Sequence, residues 1–303
     1  MAVALTTRAA VVAAPRTVAV EERPRPESGP GEVLVRVEGS GVCGSDLPVW
    51  EGRPWFGYPL APGAPGHEGW GRIEATGERV CFLGPGAYAD HAVVAEDEVV
   101  RLPPELDGEP FPGEPLACAL NAFERTGIER GQRVAVVGVG FLGALLVQLA
   151  ARAGADVLAI ARRPYALRVA RAMGAAETSH EAAPYAESCD VAIEAAGVQA
   201  TLDAASLLVR TRGRLVIVGY HQDGSRTVDM QAWNWRGLDV VNAHERDPQR
   251  YLDGMRRAVD AVVGGRLDPA PLLTHTFPLE RLGDAFETAL ARPDGFMKAL
   301  VLT

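Results

Sequence analysis

Cysteine is scarce in this 303-residue chain: Cys43, Cys81, Cys118 and Cys189 are all it has. They are widely spaced and no C-x-x-C occurs, which excludes a disulfide framework and a zinc finger and makes a reducing cytoplasm the simplest compartment. Basic charge is short as well. Thirty Lys and Arg face 39 Asp and Glu, for a net charge of −9 and a pI near 5.3. The basic stripe that marks a nucleic-acid binder is missing. No run of about 18 uncharged apolar residues appears, so nothing should span a membrane. The opening stretch "MAVALTTRAAVVAAPR" lacks a basic leader and is interrupted by Arg8; it reads as a first strand and not as a signal peptide.

What is present is a soluble composition, 48% apolar and 23% charged, with material for more than one core. The first ~115 residues alternate short β-branched runs ("EVLVRVEG", "ADHAVV", "DEVVRLP") with Gly- and Pro-rich turns, the pattern of a small all-β unit. From residue 116 strand-like and helix-like segments alternate: "RVAVVGVG", "FLGALLVQLAARAGA", "DVLAIA", "PYALRVARAMGA", "CDVAIEAAG", the helix "ATLDAASLLVRTRG", then the strands "RLVIVGY" and "LDVVNA". Such alternation means βαβ units and a parallel sheet. A helix over about 248–265 follows, and the chain closes with a strand, a helix and a last strand that returns to the β unit.

"VAVVGVGFLGALLVQ" holds Gly138, Gly140 and Gly143 in G-x-G-x-x-G spacing between a predicted strand and a predicted helix. That context makes it a dinucleotide loop: Gly138 for the tight turn, Gly140 for backbone approach to a pyrophosphate, Gly143 for close helix–strand packing. Phe141 and Leu142 open the helix whose free N–H groups face the phosphates, and Gly197 and Gly219, which close later strands, join the cofactor-binding set. An NAD site usually puts a carboxylate about 20 residues on, at the end of the second strand. Here that strand ends at Ala161 and is followed by Arg162 and Arg163. Two guanidiniums suit a 2′-phosphate, so the reading is NADP(H) over NAD(H).

Read alone, Cys43 in "GVCGSD" is a small buried filler. It gains meaning beside His67 and Glu68 in "APGHEGWG" and Glu114 in "GEPLACAL". A thiolate, an imidazole and two carboxylates are zinc-ligand chemistry, although their spacing is not a local finger pattern. With "VVGVGFLG" and the closing "MKALVL", these motifs run in order over essentially the whole chain, which resembles the medium-chain dehydrogenase/reductase superfamily of zinc-dependent alcohol and polyol dehydrogenases.

The resemblance implies an α/β chain: a GroES-like β domain, 1–115 completed by 267–303, and a Rossmann domain with a doubly wound parallel sheet, 116–266. It implies that Cys43, His67, Glu68 and Glu114 hold one catalytic zinc, that Ser45 starts a proton relay, and that Asp46 sits behind a ligand histidine or merely in the turn. It further implies hydride transfer between NADP(H) and a small alcohol/carbonyl substrate, such as a polyol, sugar-like or other cyclic secondary alcohol, in a homodimer or homotetramer pairing through "RLVIVGY" and "LDVVNA". "GERVCFLGPGAYADHAVV" runs straight through where the family carries a four-cysteine lobe, so no structural zinc is expected. Leu47 and Pro48 stand where relatives carry a relay histidine; His91, His221 and His244 are spare candidates. Trp50, Trp55, Phe56, Tyr58, Trp233 and Trp235 read as loop aromatics that wall a substrate pocket. A zinc-free quinone or enoyl reductase of the same fold and a non-catalytic NADPH sensor are the alternatives.

Overall fold

The computed structural model describes residues 5–303; residues 1–4 of the predicted first strand lie outside the described residues. The chain divides into two compact units, residues 1–115 with 270–303, and residues 116–269.

In the first unit, β1 (Thr6–Ala14) and β2 (Thr17–Pro24) pair as an antiparallel hairpin. β3 (Glu32–Gly41) carries the valine-rich run, and its apolar positions Val35 and Val37 enter a core with Ile73, Val80 and Phe82. A short helix, α1 (Asp46–Glu51), follows where a loop was expected; it buries Leu47, Val49 and Trp50 and stops at Gly52, whose φ of 78° is left-handed. β4 (Gly69–Ile73), β5 (Arg79–Phe82), β6 (His91–Ala95) and β7 (Val99–Arg101) complete this stretch.

Helix α2 (Gly113–Thr126) leads into the second unit. There β8 (Arg133–Val137), α3 (Phe141–Arg152), β9 (Asp156–Ile160), α4 (Pro164–Ala172), β10 (Glu177–Ser179), β11 (Cys189–Glu194), α5 (Gln199–Leu208), β12 (Val209–Ile217), α6 (Met230–Arg236), β13 (Asp239–Asn242) and α7 (Pro248–Val263) succeed one another. The sheet is wholly parallel in the order β10-β9-β8-β11-β12-β13. Read from β8, that is the 3-2-1-4-5-6 order of a dinucleotide-binding sheet. Its central strands are continuous apolar runs because both faces are covered.

The chain then returns to the first unit as β14 (Leu273–Pro278), α8 (Leu282–Ala291) and β15 (Lys298–Leu302). β15 lies antiparallel on β3, Leu300 opposite Gly41, so the unit's sheet runs β14-β15-β3-β4-β5-β7 with β6 on β3. The C-terminal strand thus flanks the strand that delivers Cys43, and β4 flanks it on the other side.

Three expectations need correction. The helix expected over 200–213 ends at Leu208; Val209 and Thr211, β-branched and followed by Arg212 at φ 60°, start β12 instead. "RLVIVGY" is no edge: β12 lies between β11 and β13, and only β13 is exposed on that side. Of the expected loop aromatics, Trp55, Phe56 and Tyr58 do lie in the loop after α1, with the Trp55 and Phe56 rings 6.0 Å apart, but Trp50, Trp233 and Trp235 sit on helices. Trp50 belongs to α1, packs on Phe286 and donates to Glu287 Oε1 at 2.7 Å, while Trp233 belongs to α6 and donates to Ser206 Oγ at 2.6 Å. Both serve cores, and Trp235 is 89% exposed. No helix among the described residues is long and apolar enough to cross a membrane.

Candidate metal centre and cofactor loop

Three adjacent strands bring one polar cluster together. β3 ends at Gly41 and releases Cys43; His67 and Glu68 directly precede β4; Lys298 opens β15. Ligand atoms of Cys43, His67 and Glu68 all lie within 4.8 Å of one another, the group of this kind found among the described residues. Glu114, in the first turn of α2, is not part of it.

Each member is held by specific contacts. His67 Nδ1 lies 2.9 Å from the Pro65 carbonyl oxygen and 3.4 Å from Asp46 Oδ1. A carbonyl only accepts, so Nδ1 carries the hydrogen, and in the neutral ring Nε2 keeps its lone pair for a metal. Asp46 is buried; its Oδ2 accepts from the Cys43 backbone N–H at 3.0 Å and from the Tyr88 hydroxyl at 2.7 Å. Asp46 is therefore both the turn aspartate and the carboxylate behind the histidine. Glu68 is fully buried, and Lys298 Nζ donates to its Oε1 at 2.6 Å. Nζ is equally close to Oε2, yet Oε2 makes no hydrogen bond. Gly41 must be glycine: a Cβ there would sit 1.8 Å from that oxygen.

The charge balance of the cluster shows what it can hold. Burial opposes charge on His67, but Asp46 and Cys43 together hold its pKa far above the ordinary value. Burial likewise opposes charge on Lys298, and Glu68 and Cys43 overcome it. Burial, and then Asp46, push the Tyr88 hydroxyl well up, so it remains a donor. One sulfur, one imidazole and two carboxylates converge here, with the Lys298 ammonium beside them. Two buried carboxylate oxygens, Asp46 Oδ1 and Glu68 Oε2, lack a hydrogen-bond partner. A divalent cation with a taste for sulfur, imidazole and carboxylate fits this set.

Ser45 is the N-cap residue of α1 but its side chain makes no capping hydrogen bond. Leu47 and Pro48 are buried. His91 contacts Thr7 Oγ1 at 3.0 Å, with its pKa lowered by burial, and serves structure. Lys298 was missed from the sequence, although the signal was plain: it is the only lysine among 30 basic residues, and it starts an apolar strand.

In the second unit the glycine loop has the expected form. Gly138 has φ 96°; a Cβ at Gly143 would lie 2.0 Å from the Gly138 carbonyl oxygen; Gly140 is the N-cap of α3, with open space around it. Phe141 is buried and Leu142 half-buried. Past β9, Ala161 is buried, Arg162 is exposed and Arg163 is the residue before α4, with no side-chain capping hydrogen bond. His180 Nδ1 lies 3.0 Å from the Ala161 carbonyl oxygen, beside a cavity of about 310 Å³ lined by Arg168, Arg171 and Thr178 among others. This corner is rich in cations and holds no carboxylate at the strand end. Gly197 (φ 74°) and Gly219 follow β11 and β12 at their carboxyl ends. His221 and His244 lie there too, and neither belongs to the metal cluster.

Comparison with known proteins agrees with both units. A zinc-binding dehydrogenase family model matches residues 142–260, and an alcohol dehydrogenase GroES-like domain model matches residues 29–104. Sorbitol dehydrogenase of Gallus gallus is 30% identical over 89% of this chain and 89% of its own length. The Homo sapiens sorbitol dehydrogenase is 30% identical over 92% of this chain and 91% of its own. A Sinorhizobium meliloti 1021 structure, described as a zinc-binding dehydrogenase bound to NADP, superposes with a TM-score of 0.85 at 26% identity, covering 99% of this chain and 100% of that one.

Proposed function

This chain belongs to the zinc-dependent medium-chain dehydrogenase/reductase superfamily and is an NAD(P)-dependent dehydrogenase, and from that premise we propose that it transfers a hydride between NADP(H) and a polyol or other secondary alcohol and its carbonyl partner. The observation that carries the reading is the convergence of Cys43, His67 and Glu68 ligand atoms within 4.8 Å of one another, backed by Asp46 and Lys298.

In this reading Cys43, His67 and Glu68 hold one zinc ion per chain. Glu114 is the fourth protein donor, supported by the resemblance of "EPLACAL" alone. Zinc at this position supplies a Lewis acid for the substrate oxygen. The Pro65 carbonyl keeps His67 in the Nδ1–H tautomer with Asp46 beside it, and Lys298 holds Glu68 against the end of β3. Ser45, free of any capping duty, relays the proton of the substrate hydroxyl, giving up its own hydroxyl proton as it accepts that one. With Leu47 and Pro48 buried behind it, that proton leaves by solvent and not by a histidine. In the second unit the Gly138–Gly143 turn and the start of α3 bind the pyrophosphate, and Arg162 and Arg163 favour the 2′-phosphate of NADP(H). The four free cysteines suit a reducing cytoplasm. Pairing between copies, as a homodimer or homotetramer, falls to β13, the exposed edge.

The test is a panel of polyols, secondary alcohols and carbonyls with NADP+, NAD+ and their reduced forms, followed at the nicotinamide absorbance, together with metal analysis. About one zinc per chain and turnover preferring NADP(H) are expected. Zinc-free protein that reduces quinones or activated alkenes instead would overturn the reading.

A further inference from the structure

Glu194 ends β11 fully buried. Its Oε1 accepts from Ala196 N at 2.8 Å, Gly197 N at 2.7 Å and Thr201 Oγ1 at 2.6 Å. Its Oε2 lies 3.1 Å from His221 Nε2. On the far side of the imidazole, Arg226 Nε lies 2.9 Å from His221 Nδ1. Arg226 Nη2 then returns to the Gly197 carbonyl oxygen at 3.0 Å, and the guanidinium also pairs with Asp223.

These contacts fix one protonation pattern. A guanidinium N–H only donates, so Nδ1 of His221 accepts and carries no hydrogen. Nε2 therefore carries it and donates to the Glu194 carboxylate. The ring of bonds runs Glu194, Gly197, Arg226, His221 and back to Glu194. It ties the loop after β11 to the loop after β12.

The two loops touch where side chains are absent. A Cβ on Gly219 would lie 2.1 Å from Gly197 N and 2.6 Å from Glu194 Oε2, and a Cβ on Gly197 would lie 2.4 Å from the Tyr220 carbonyl oxygen. Next to this contact, Tyr220 stacks on His244, ring centroids 5.6 Å apart at 13°, and Tyr220 remains 62% exposed. All of this stands at the carboxyl ends of β11, β12 and β13, the half of a doubly wound sheet that takes the second nucleotide of a dinucleotide. A buried carboxylate would be as well replaced by apolar packing if stability were its only role.

We propose that Glu194, His221 and Arg226 are positioning residues for the nicotinamide half of the cofactor: their closed ring of hydrogen bonds, with His221 held as the neutral Nε2–H tautomer, sets the Gly197 and Tyr220 loops and the Tyr220–His244 stack in their binding arrangement. The inference rests on the NADP(H)-binding reading of the second unit.

The sharpest test compares two variants of His221 in the full chain. A glutamine can accept from Arg226 through its carbonyl and donate to Glu194 through its amide; a leucine can do neither. NADPH binding by fluorescence titration is expected to weaken about tenfold in His221→Leu, the value of one charge-assisted hydrogen bond, and to stay within about threefold of wild type in His221→Gln. Zinc content is expected to match between the two, and binding is compared at a temperature well below both thermal midpoints. Glu194→Gln turns an N–H toward the Nε2–H and is expected to behave like His221→Leu. Nitrogen NMR of wild type, with the His221 signal identified by its loss in His221→Gln, is expected to show a bare Nδ1 and a protonated Nε2. Equal NADPH affinity in all forms, or a His221→Gln as weak as His221→Leu, or an Nδ1–H tautomer, overturns the positioning role. Wild-type protein that binds neither NADPH nor NADH overturns the cofactor reading itself, and this role with it.

Discussion

Each unit buries one glutamate completely, and the two are treated in opposite ways. Glu194 takes four donors: three on one oxygen and the His221 Nε2–H on the other. Glu68 has a single ammonium beside it and one oxygen with no hydrogen bond. A carboxylate held by four donors is fixed in place, because any movement leaves several groups unpaired. A carboxylate held by one buried ammonium, next to a thiol and an imidazole, has room for a further partner. The second condition is what a metal ligand requires, since the bond to the cation has to come from unsatisfied electron pairs. In the proposed reading, the same residue type frames a cofactor loop in one unit and offers itself to a cation in the other.

The strongest way to break this contrast is to remove the one partner of Glu68. Lys298→Met strands a buried carboxylate and is expected to cost about 3–5 kcal/mol of unfolding free energy in metal-free protein. Saturating zinc should recover part of that loss, since it binds only the folded site. Denaturation curves of wild type and variant with and without zinc measure both effects. A Lys298→Met protein as stable as wild type without metal would show that Glu68 is not held by charge.

Cys43→Ala tests the other arm of the cluster. Losing the thiolate removes a ligand, and the several kcal/mol of charge stabilisation a bound cation provides correspond to about a thousandfold in kcat/KM at 1.4 kcal/mol per tenfold. Zinc per chain should fall in parallel while NADPH binding, which belongs to the other unit, is unchanged. Retained activity with zinc lost would sever the cluster from the chemistry.

How much of this was legible beforehand follows the same division. The glycine turn lies within six residues, Gly138 to Gly143, and its strand and helix are its immediate neighbours. Local context was enough to read it. The metal cluster draws on residues 43, 46, 67, 68 and 298, brought together only by the pairing of β15 and β4 on either side of β3. No spacing rule reaches that far, so the ligands came from resemblance and Lys298 came from the structure alone. Trp50 and Trp233 failed for a related reason. Gly and Pro are dense around Trp50 and read as loop, and each tryptophan sits on a helix too short for periodicity to reveal, α1 of six residues and α6 of seven. The Glu194–His221–Arg226 ring was invisible because it links two loops through a sheet edge-on, across 32 residues of chain (226 − 194).

A smaller effect sharpens the cofactor side of the comparison. Arg162→Ala is expected to raise KM for NADP+ about tenfold to a hundredfold, the range for one hydrogen bond to a charged group, and to leave KM for NAD+ within about twofold. Adding Ala161→Asp should reverse the preference by placing a carboxylate where the 2′-phosphate would lie. Equal losses for both cofactors would mean that Arg162 serves the loop and not the phosphate.

The smallest expected effect is a reaction that does not happen. Cys43 and Cys81 both lie on or next to the first unit's sheet, but Cys81 is fully buried in β5, and burial pushes its thiol up to about 12. Near pH 8 only about one Cys81 in ten thousand is then thiolate, and access is closed as well. Cys43 is only partly buried and faces an imidazole. Iodoacetamide on the native, metal-free protein should therefore modify Cys43 and spare Cys81, as read by peptide mass analysis, and zinc should slow the Cys43 reaction. Modification of Cys81 at a similar rate would mean that β5 opens easily. Failure of zinc to protect Cys43 would mean that its sulfur is not a ligand, and the contrast between the two buried glutamates would lose its explanation.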